Sequence, residues 1–333
     1  MVEETVLVTG GCGLVGLRAV AALKAAGHSV RVLDLHRADF ARAEALGARC
    51  ISGSVVDGES VRKALGASRA VIHLAGPDAR IADKSFMRKM VVAGAEVLME
   101  EVDGSDVEVV VAASTAGVYA RSPTTADESA PIKVHNELER AKLDMEGALA
   151  KGARRAGVRA AALRMGLVYA RGDGCVVDLL VERMREPRPL PLPRNGYVNV
   201  VHADDAAAAA IGLAKLRRRL EKGRCDVLNC ASGEVLPVEG FLRALALAAG
   251  VRAGPPPLRP GFLARGPDAW MRARDRTVRI VDAAPVSIGR IRTRLTEWPR
   301  WPSFERGLAD AVSASGATTA PSTGPPPSLP PMR

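Results

Sequence analysis

The sequence is 333 residues long with a formal net charge of +10, and aromatic side chains make up only 3% of it. This length accommodates one large α/β domain with an appended lobe. The low aromatic content argues against a surface that stacks the bases of single-stranded nucleic acid, and we expect no nucleic-acid partner. We expect a small-molecule substrate instead, and an anionic one if the positive charge contributes to binding. The five cysteines are odd in number and lack Cys-x-x-Cys spacing, which predicts neither a disulfide framework nor a metal site.

The start of the chain has no basic segment followed by an apolar run. No apolar stretch elsewhere approaches the length of a membrane span. Together with the cysteine pattern, these features predict a cytoplasmic protein with no membrane partner.

The N-terminal residues predict a buried strand that runs directly into a glycine-rich turn and a helix. Residues 6–8 form a continuous apolar run, as in a parallel strand covered on both faces. Gly10 allows a sharp turn, Gly13 lets a phosphate approach the backbone, and Gly16 lets the new helix pack closely on the strand. The helix then points its leading N–H groups and the positive end of its dipole at a pyrophosphate.

An acidic residue, Asp34, ends the next apolar strand at the spacing where a carboxylate binds both ribose hydroxyls of an adenosine. Its charge would repel a 2′-phosphate, so the sequence predicts NAD in preference to NADP, although Arg37 favours the opposite if its side chain turns inward. The cofactor contacts predicted along this unit are Gly10, Cys12, Gly13, Leu14, Val15, Gly16, Asp34 and Arg37.

The spacing Thr9-Gly-Gly-Cys-Gly-Leu-Val-Gly16 resembles that of the extended short-chain dehydrogenases/reductases, which include nucleotide-sugar epimerases and 3β-hydroxysteroid dehydrogenases. The resemblance implies an α/β fold, a Rossmann-type doubly wound parallel sheet with a smaller C-terminal α/β substrate lobe. The expected divisions are a dinucleotide-binding domain over 1–170, with segments near 197–230 returning to it, a substrate lobe over 171–312, and a disordered tail rich in Pro, Ser and Thr over 313–333.

Two later strand ends are similar to cofactor-binding segments of this family. Ser54 stands where the family has an acid beside the adenine, and Val55 follows it. The run 71–76 is similar to the family's fourth strand, whose end lies against the cofactor's phosphates and ribose. We expect His73 in this run to pack beside the cofactor rather than act as a base, because it sits among apolar residues. The contacts that the resemblance adds are Ser54, Val55, Leu74, Ala75 and Gly76.

The catalytic half of the family pattern is incomplete. The segment 114–119 is similar to the family's Ser-Ser/Thr-x-x-Val-Tyr, which assigns to Thr115 the hydrogen bond to the reacting oxygen. The Lys-Leu-x-x-Glu signature beginning at Lys142 sets the helix register, and the family's catalytic tyrosine falls one helical turn earlier. Leu138 stands there, and leucine cannot transfer the proton that accompanies hydride transfer. Lys142 can still hold the nicotinamide ribose.

Several groups are candidates for the missing acid. A helix predicted to begin at Pro131 places His135 one turn before Leu138 on the same face, which makes His135 the first candidate, with a solvent-facing histidine as the alternative. Tyr119, Tyr169 and a group on the substrate are the others.

Asp204 and Asp205 precede an alanine-rich helix predicted over residues 206–220. An aspartate in this position is typical of an N-cap and structural anchor rather than a catalyst.

Three functions stay open at this point. The first is an NAD(P)-dependent oxidoreductase or epimerase that acts on a small metabolite, in a setting such as bacterial secondary metabolism, with its tyrosine replaced. The second is a cyclase, isomerase or lyase that binds the cofactor without net redox change. The third is a non-catalytic regulatory protein, against which the retained Thr115 and Lys142 argue, whereas Leu138 argues against the first. A homodimer is a possible assembly for any of them.

Overall fold

The computed structural model describes residues 4–76, 84–120, 122–170, 176–185, 196–250 and 284–311. The strands are β1 (Thr5–Thr9), β2 (Ser29–Asp34), β3 (Arg49–Ser52), β4 (Ala70–His73), β5 (Val109–Thr115), β6 (Arg159–Met165), β7 (Leu167–Tyr169), β8 (Tyr197–Val198), β9 (Val200–His202), β10 (Cys225–Cys230) and β11 (Leu236–Pro237). The α-helices are α1 (Leu14–Ala25), α2 (Phe40–Ala45), α3 (Gly58–Leu65), α4 (Lys84–Arg88), α5 (Gly94–Val102), α6 (Glu137–Ala156), α7 (Val176–Arg185), α8 (Ala203–Lys215), α9 (Val238–Ala248), α10 (Gly289–Arg292) and α11 (Phe304–Ala311). A π-helical segment, Lys89–Ala93, joins α4 to α5, and 3-10 turns cover Ala116–Val118 and Arg217–Arg219.

Seven strands form one parallel sheet in the order β10-β6-β5-β4-β1-β2-β3. The sequential order reverses between β1 and β4, and doubly wound sheets bind ligands at such a point, in the crevice beside the carboxyl ends of the strands. The predicted fold class is confirmed. Gly10 and Leu74, which directly follow β1 and β4, border this crevice.

Three apolar clusters hold the elements together. One face of the sheet packs against α1 and α8, and the other packs against α3, α5 and α6. A third cluster surrounds Tyr169, Phe241 and Phe304 and draws on α7, α9 and α11. Leu14, at the start of α1, packs against this third cluster, so the beginning of the helix that follows the glycine turn also touches the C-terminal elements.

Gly166 separates β6 from β7. A Cβ at this position would lie 2.4 Å from the carbonyl oxygen of Asn199, so only glycine lets the two chain segments approach so closely. Beyond Gly166, β7 leaves the main sheet and pairs with β9.

The edge strands of the main sheet are β10, which pairs in parallel with β6, and β3, which pairs in parallel with β2. The division of the chain into two domains at residue 170 stays a prediction. The predicted tail, 313–333, lies outside the described residues.

Within the described ranges, no helix combines the length and apolar character needed to cross a membrane. The same ranges contain no group of three or more His, Cys, Asp or Glu side chains placed to hold a metal ion.

Candidate cofactor and active site

The turn after β1 is shaped by close backbone contacts. Gly10 has a φ of +68°, and a Cβ on it would lie 2.7 Å from the amide nitrogen of Ala75. A Cβ on Gly16 would lie 2.2 Å from the carbonyl oxygen of Gly10, so the start of α1 rests directly on the turn. Gly11, which the spacing argument missed, packs against Val32, whose Cγ1 would lie 2.6 Å from a Cβ on the glycine.

The N-terminus of α1 has the features of an anion site. Its N-cap residue is the exposed Gly13, and no acidic side chain lies in its first turn. Among the residues that the structure describes, a Cβ on Gly13 would find only the Gly10 carbonyl oxygen within 4 Å, at 3.3 Å. The leading N–H groups of the helix, which include those of Leu14 and Val15, and the positive end of its dipole are therefore available to a phosphate above Gly13.

Asp34 joins the end of β2 to the glycine turn. Its Oδ2 accepts a hydrogen bond from the Cys12 amide at 3.0 Å, and its Oδ1 accepts one from the Leu35 amide at 2.9 Å. Each carboxylate oxygen keeps acceptor capacity for a ribose hydroxyl. Burial and the nearby Asp34 charge raise the pKa of the Cys12 thiol to about 12, so Cys12 contributes its backbone amide and not a thiolate.

The segment after β3 lies beside this acid. The Gly53 amide donates to the Asp34 carbonyl at 2.9 Å, and the Ser54 hydroxyl accepts from the Val56 amide at 3.4 Å. Val55 is buried, and its Cγ2 lies 2.8 Å from the Cβ position of Gly94, so its side chain belongs to the core and only its backbone can meet an adenine.

The end of β4 is fixed by Thr9, another residue that the motif analysis missed. The Thr9 hydroxyl lies 2.7 Å from His73 Nδ1 and accepts a longer hydrogen bond, 3.4 Å, from the Ala75 amide. His73 is buried, and burial together with the nearby Lys142 charge lowers its pKa to about 3. The ring is therefore neutral at physiological pH and unsuited to act as a base.

Lys142 reaches from α6 to the sheet. Its Nζ donates to the carbonyl oxygen of Ala113 on β5 at 2.6 Å and lies 3.8 Å from the Cβ position of Gly76. Burial lowers the pKa of Lys142 to about 8, while the Glu146 carboxylate acts in the opposite direction. The ammonium group thus lies between the carboxyl ends of β4 and β5, where a cofactor in the crevice would meet it.

Thr115 ends β5, two residues beyond the carbonyl that binds Lys142. Its Oγ1 accepts a hydrogen bond from the Gly117 amide at 3.1 Å and caps the 3-10 turn that follows. Because the hydroxyl accepts in this bond, its proton is left to donate elsewhere. The structure therefore brings Thr115 and Lys142 to the same strand end.

The helix that carries Lys142 begins at Glu137, and the prediction that it begins at Pro131 is wrong. Asn136 is the N-cap, with its Oδ1 accepting from the Glu139 amide at 2.9 Å. Pro131 instead precedes Ile132, which forms a β-bridge with Tyr119. His135 consequently lies before the helix and shares no helical face with Leu138. A catalytic role for His135 stays a prediction that has lost its structural argument.

Two of the alternative proton donors, Tyr119 and Tyr169, are buried. The Tyr119 side chain is buried, and its hydroxyl donates to Asn229 Oδ1 at 2.6 Å and accepts from Arg164 at 3.0 Å. Burial raises the pKa of Tyr119, with Arg164 opposing the shift. Tyr169 is fully buried beside Phe304 in the third cluster. Both phenols belong to the packed interior, and a catalytic role for either stays a prediction.

A buried ion pair joins α6 to β6 one helical turn from Lys142. Glu146, one turn after Lys142, accepts from Arg164 Nε at 3.0 Å and from the terminal amino group of Arg164 at 2.8 Å. Ser114 donates to the same carboxylate at 2.5 Å. An arginine within the apolar strand β6 was the signal for this pair, but its partner cannot be identified without the packing of β6 against α6.

Of the two roles predicted for Asp204 and Asp205, helix N-cap and structural anchor, the structure bears out only the anchor. The N-cap of α8 is His202, whose ring nitrogen accepts from the Asp204 amide at 3.3 Å, so the prediction of an aspartate cap is wrong. Asp205 is an anchor, since its carboxylate accepts from the amides of Arg300 and Trp301 at 2.8 and 2.9 Å.

A glycine turn at the crossover of a seven-stranded parallel sheet, with an acid at the end of β2, defines a dinucleotide-binding Rossmann fold. The model of the NAD dependent epimerase/dehydratase family matches residues 6–231, and the chain belongs to this family. The protein is therefore an enzyme of an NAD-dependent family with an oxidoreductase or epimerase role. The glycine turn, the uncapped α1 and the Asp34 carboxylate fit NAD as the cofactor.

A curated relative from a Streptomyces species, a 3-diazoavenalumate denitrifying reductase, is 28% identical over 324 residues, covering 91% of this chain and 98% of the relative. An uncharacterized protein of Sinorhizobium fredii is 26% identical over 65% of this chain, and the alignment spans only 54% of that relative's length.

Two solved structures share the fold. The UDP-glucose 4-epimerase of Thermus thermophilus, in complex with NAD, is 25% identical with a TM-score of 0.72. That of Thermotoga maritima, with UDP-glucose, is 23% identical with a TM-score of 0.75. Each match covers 92% of this chain and 97% of the other.

Proposed function

We propose that the protein is an NADH-dependent reductase of a small metabolite whose reacting carbon accepts hydride without a proton from a protein phenol. The observation that carries this proposal is Leu138, one helical turn before the retained Lys142 in α6. When bound, NADH supplies a hydride. Lys142 holds the cofactor ribose at the strand end, and Thr115 contacts the reacting group.

The loss of the phenol favours a substrate that needs no proton in the hydride step. Reduction of a carbonyl builds negative charge on oxygen and requires an acid beside it. At the position of that acid the chain has the aliphatic Leu138, and the side chains of Tyr119 and Tyr169 are buried. Epimerisation through a carbonyl intermediate needs the same proton transfers, so it is disfavoured for the same reason.

The Streptomyces relative suggests one such substrate class. Its name describes a reductase that removes nitrogen from a diazo compound. For an aromatic diazonium ion, a C–H bond forms with the hydride electron pair, the C–N bond breaks, and its electron pair leaves with N₂. The hydride supplies the one electron pair that the reaction needs, and no proton is consumed, so neither a phenol nor any other acid is required.

The test is NADH oxidation with benzenediazonium, followed by absorbance and by detection of benzene. We expect enzyme-dependent turnover that exceeds the uncatalysed background, and no interconversion of UDP-glucose and UDP-galactose. NADH-independent consumption of substrate would instead support the non-redox alternative. An absence of any diazonium turnover would reject this substrate class.

The substitution Leu138→Tyr, with Leu138→Phe as the matched control, tests why the phenol is absent. We expect Leu138→Tyr to raise reduction of simple aromatic ketones by about 10²-fold or more over Leu138→Phe, since a positioned acid contributes on that order. Neither variant should raise diazonium reduction. Faster diazonium reduction with the tyrosine alone would contradict the proposal.

Other expectations stay predictions. These are a preference for NAD over NADP, an anionic group on the substrate, a setting in bacterial secondary metabolism, a cytoplasmic location and a homodimeric assembly.

A further inference from the structure

The short segment that carries Thr115 is attached at both of its ends to one buried arginine. Arg164 lies on β6 and pairs in register with Ser114 on β5 and with Asn229 on β10. Only 4% of its surface is exposed. Because a guanidinium presents several N–H donors in a rigid planar fork, one arginine can reach two separate acceptors at once.

The first end of the segment is Ser114, which the arginine holds through Glu146. Ser114 Oγ donates to Glu146 Oε1 at 2.5 Å, and Arg164 Nε donates to the same oxygen at 3.0 Å. Arg164 Nη2 donates to the other oxygen, Oε2, at 2.8 Å, which makes the ion pair bidentate. All three side chains are buried, so water does not compete for these hydrogen bonds.

The second end is Tyr119, which the arginine holds directly. Arg164 Nη1 donates to the Tyr119 hydroxyl at 3.0 Å, and the hydroxyl donates onward to Asn229 Oδ1 at 2.6 Å. Asn229 Nδ2 in turn donates to the carbonyl oxygen of Ser287 at 3.1 Å. The guanidinium carbon of Arg164 also lies 5.2 Å from the centroid of the Tyr119 ring, so both the ring and its hydroxyl contact the arginine.

We infer that Arg164 is a positioning residue that sets the place of the Thr115 hydroxyl. Thr115 directly follows Ser114, and a single 3-10 turn connects it to Tyr119. The Gly117 amide in this turn donates to Thr115 Oγ1 at 3.1 Å, so the hydroxyl follows any movement of the turn. A reactive group is held in place by partners that are themselves fixed by packing and hydrogen bonds, and Arg164 fixes the residues on both sides of Thr115.

Helix α6 connects this arrangement to the cofactor side of the crevice. Lys142 Nζ donates to the carbonyl oxygen of Ala113 at 2.6 Å, and Glu146, one turn further along α6, accepts from Ser114. Two successive residues of β5 are thus bound by two successive turns of α6. Because Arg164 fixes the second of these attachments, it also holds the end of β5 in register with the Lys142 ammonium group.

Hydrogen exchange of the Gly117 amide measures how firmly the Thr115 hydroxyl is held. It is followed by NMR on protein with isotopically labelled glycine, beside the free energy of unfolding from urea denaturation. Tyr119→Phe and Ser114→Ala each release one end of the segment and leave the ion pair of Arg164 intact. We expect the Gly117 amide to exchange about fivefold faster or more in each variant, because each loses a hydrogen bond to a charged group.

Tyr169→Phe is the matched control, since it removes a phenol hydroxyl from a fully buried tyrosine of the third cluster. We expect it to leave Gly117 exchange unchanged whatever its effect on global stability, because this amide exchanges by local opening. Native exchange in both Tyr119→Phe and Ser114→Ala overturns the inference. So does faster exchange at Gly117 that only matches the loss of global stability in each variant.

A double variant releases both ends without leaving a buried charge. Arg164→Met/Glu146→Leu replaces the ion pair by apolar side chains, a change that is often neutral for stability, whereas loss of one partner would leave the other charge unpaired. We expect a folded protein whose Gly117 amide exchanges at least as fast as in Tyr119→Phe. Native exchange at Gly117 in the folded double variant would reject the role of Arg164.

Turnover tests the catalytic consequence, which rests on the proposed function because Thr115 contacts the reacting group there. With NADH and benzenediazonium, we expect Ser114→Ala to lower kcat about fivefold with little change in KM, and to lower it no further in a Thr115→Val background. Equal losses in the two backgrounds would show an effect that does not pass through Thr115 and would overturn the inference. An inactive native protein would reject the proposed reaction, while Gly117 exchange would still decide whether Arg164 positions Thr115.

Discussion

The glycine turn after β1 and Lys142 of α6 border the same short segment, residues 74–76, but the turn does so through backbone atoms and Lys142 through its side chain. The glycine turn meets this segment through backbone, with the Cβ position of Gly10 at 2.7 Å from the Ala75 amide. Helix α6 meets it through a side chain, with Lys142 Nζ at 3.8 Å from the Cβ position of Gly76.

This difference explains why the glycine turn matches the pattern of its family and the start of α6, where leucine replaces the tyrosine, does not. A larger residue at Gly10 or Gly16 would collide with backbone, so the turn and the fold change together. With leucine at position 138, α6, its Asn136 cap and the Lys142 hydrogen bond are all formed. Chemistry at the start of α6 can therefore change while the fold and the cofactor site persist.

The largest expected effect comes from filling the space above the glycine turn. Gly13 has an ordinary φ of −79°, and the Gly10 carbonyl oxygen, 3.3 Å from its Cβ position, needs to move only slightly, so Gly13→Leu should cost little folding stability and obstruct the phosphate position. We expect a loss of about 3 kcal/mol, on the order of a hundredfold in the Kd for NAD. Titration calorimetry with NAD measures this loss.

Gly16→Ala is the contrasting control for that substitution. Its Cβ would lie 2.2 Å from the Gly10 carbonyl oxygen, so the cost falls on folding, on the order of 1–3 kcal/mol. Urea denaturation should show this loss for Gly16→Ala and little change for Gly13→Leu. Unchanged NAD affinity in Gly13→Leu would contradict the placement of the cofactor over the turn.

The contrast between the glycine turn and the start of α6 also explains how much of each could be predicted from the sequence alone. The glycine spacing and Asp34 identify a local βαβ unit, whose parts are close in sequence, and the structure places them as expected. Glu139 stands three residues after Asn136, the spacing of an N-cap and its reciprocal partner. A helix start placed at Pro131 hid this pattern. The proximity of Glu139 to Gly117 depends on packing between α6 and the end of β5, and no local sequence pattern encodes this packing.

A smaller effect is expected from the protonation of Lys142. Burial lowers its pKa to about 8, so the ammonium loses its proton as the pH rises through that value. A hydrogen bond from a charged group contributes roughly 1.5 kcal/mol or more, so we expect NAD affinity to fall about tenfold between pH 7 and pH 10. Lys142→Arg, whose charge persists across this range, should give a flatter profile.

Folding stability should respond to the same group in the opposite direction. The pKa of Lys142 is lower in the folded chain than its ordinary value of 10.5, so between about pH 8 and 10.5 the unfolded chain holds more protons at this site. The contribution of Lys142 to the free energy of unfolding therefore rises with pH through this window. Equal pH profiles for the native protein and Lys142→Arg, in affinity and in stability, would show that Lys142 titrates outside the window.

The smallest expected effect concerns the choice between NAD and NADP. This choice depends on a side chain, that of Asp34, whereas the glycine turn contacts its neighbours through backbone. Asp34 is held by the Cys12 and Leu35 amides, while Arg37 is exposed. Because solvent screens repulsion between Asp34 and a 2′-phosphate, we expect Asp34→Asn to shift the NAD to NADP affinity ratio toward NADP by only about fivefold, roughly 1 kcal/mol. Arg37→Ala should leave NAD binding unchanged in a fluorescence titration. If the native protein binds NADP as tightly as NAD and Arg37→Ala alone weakens it, Arg37 rather than Asp34 controls the ribose site.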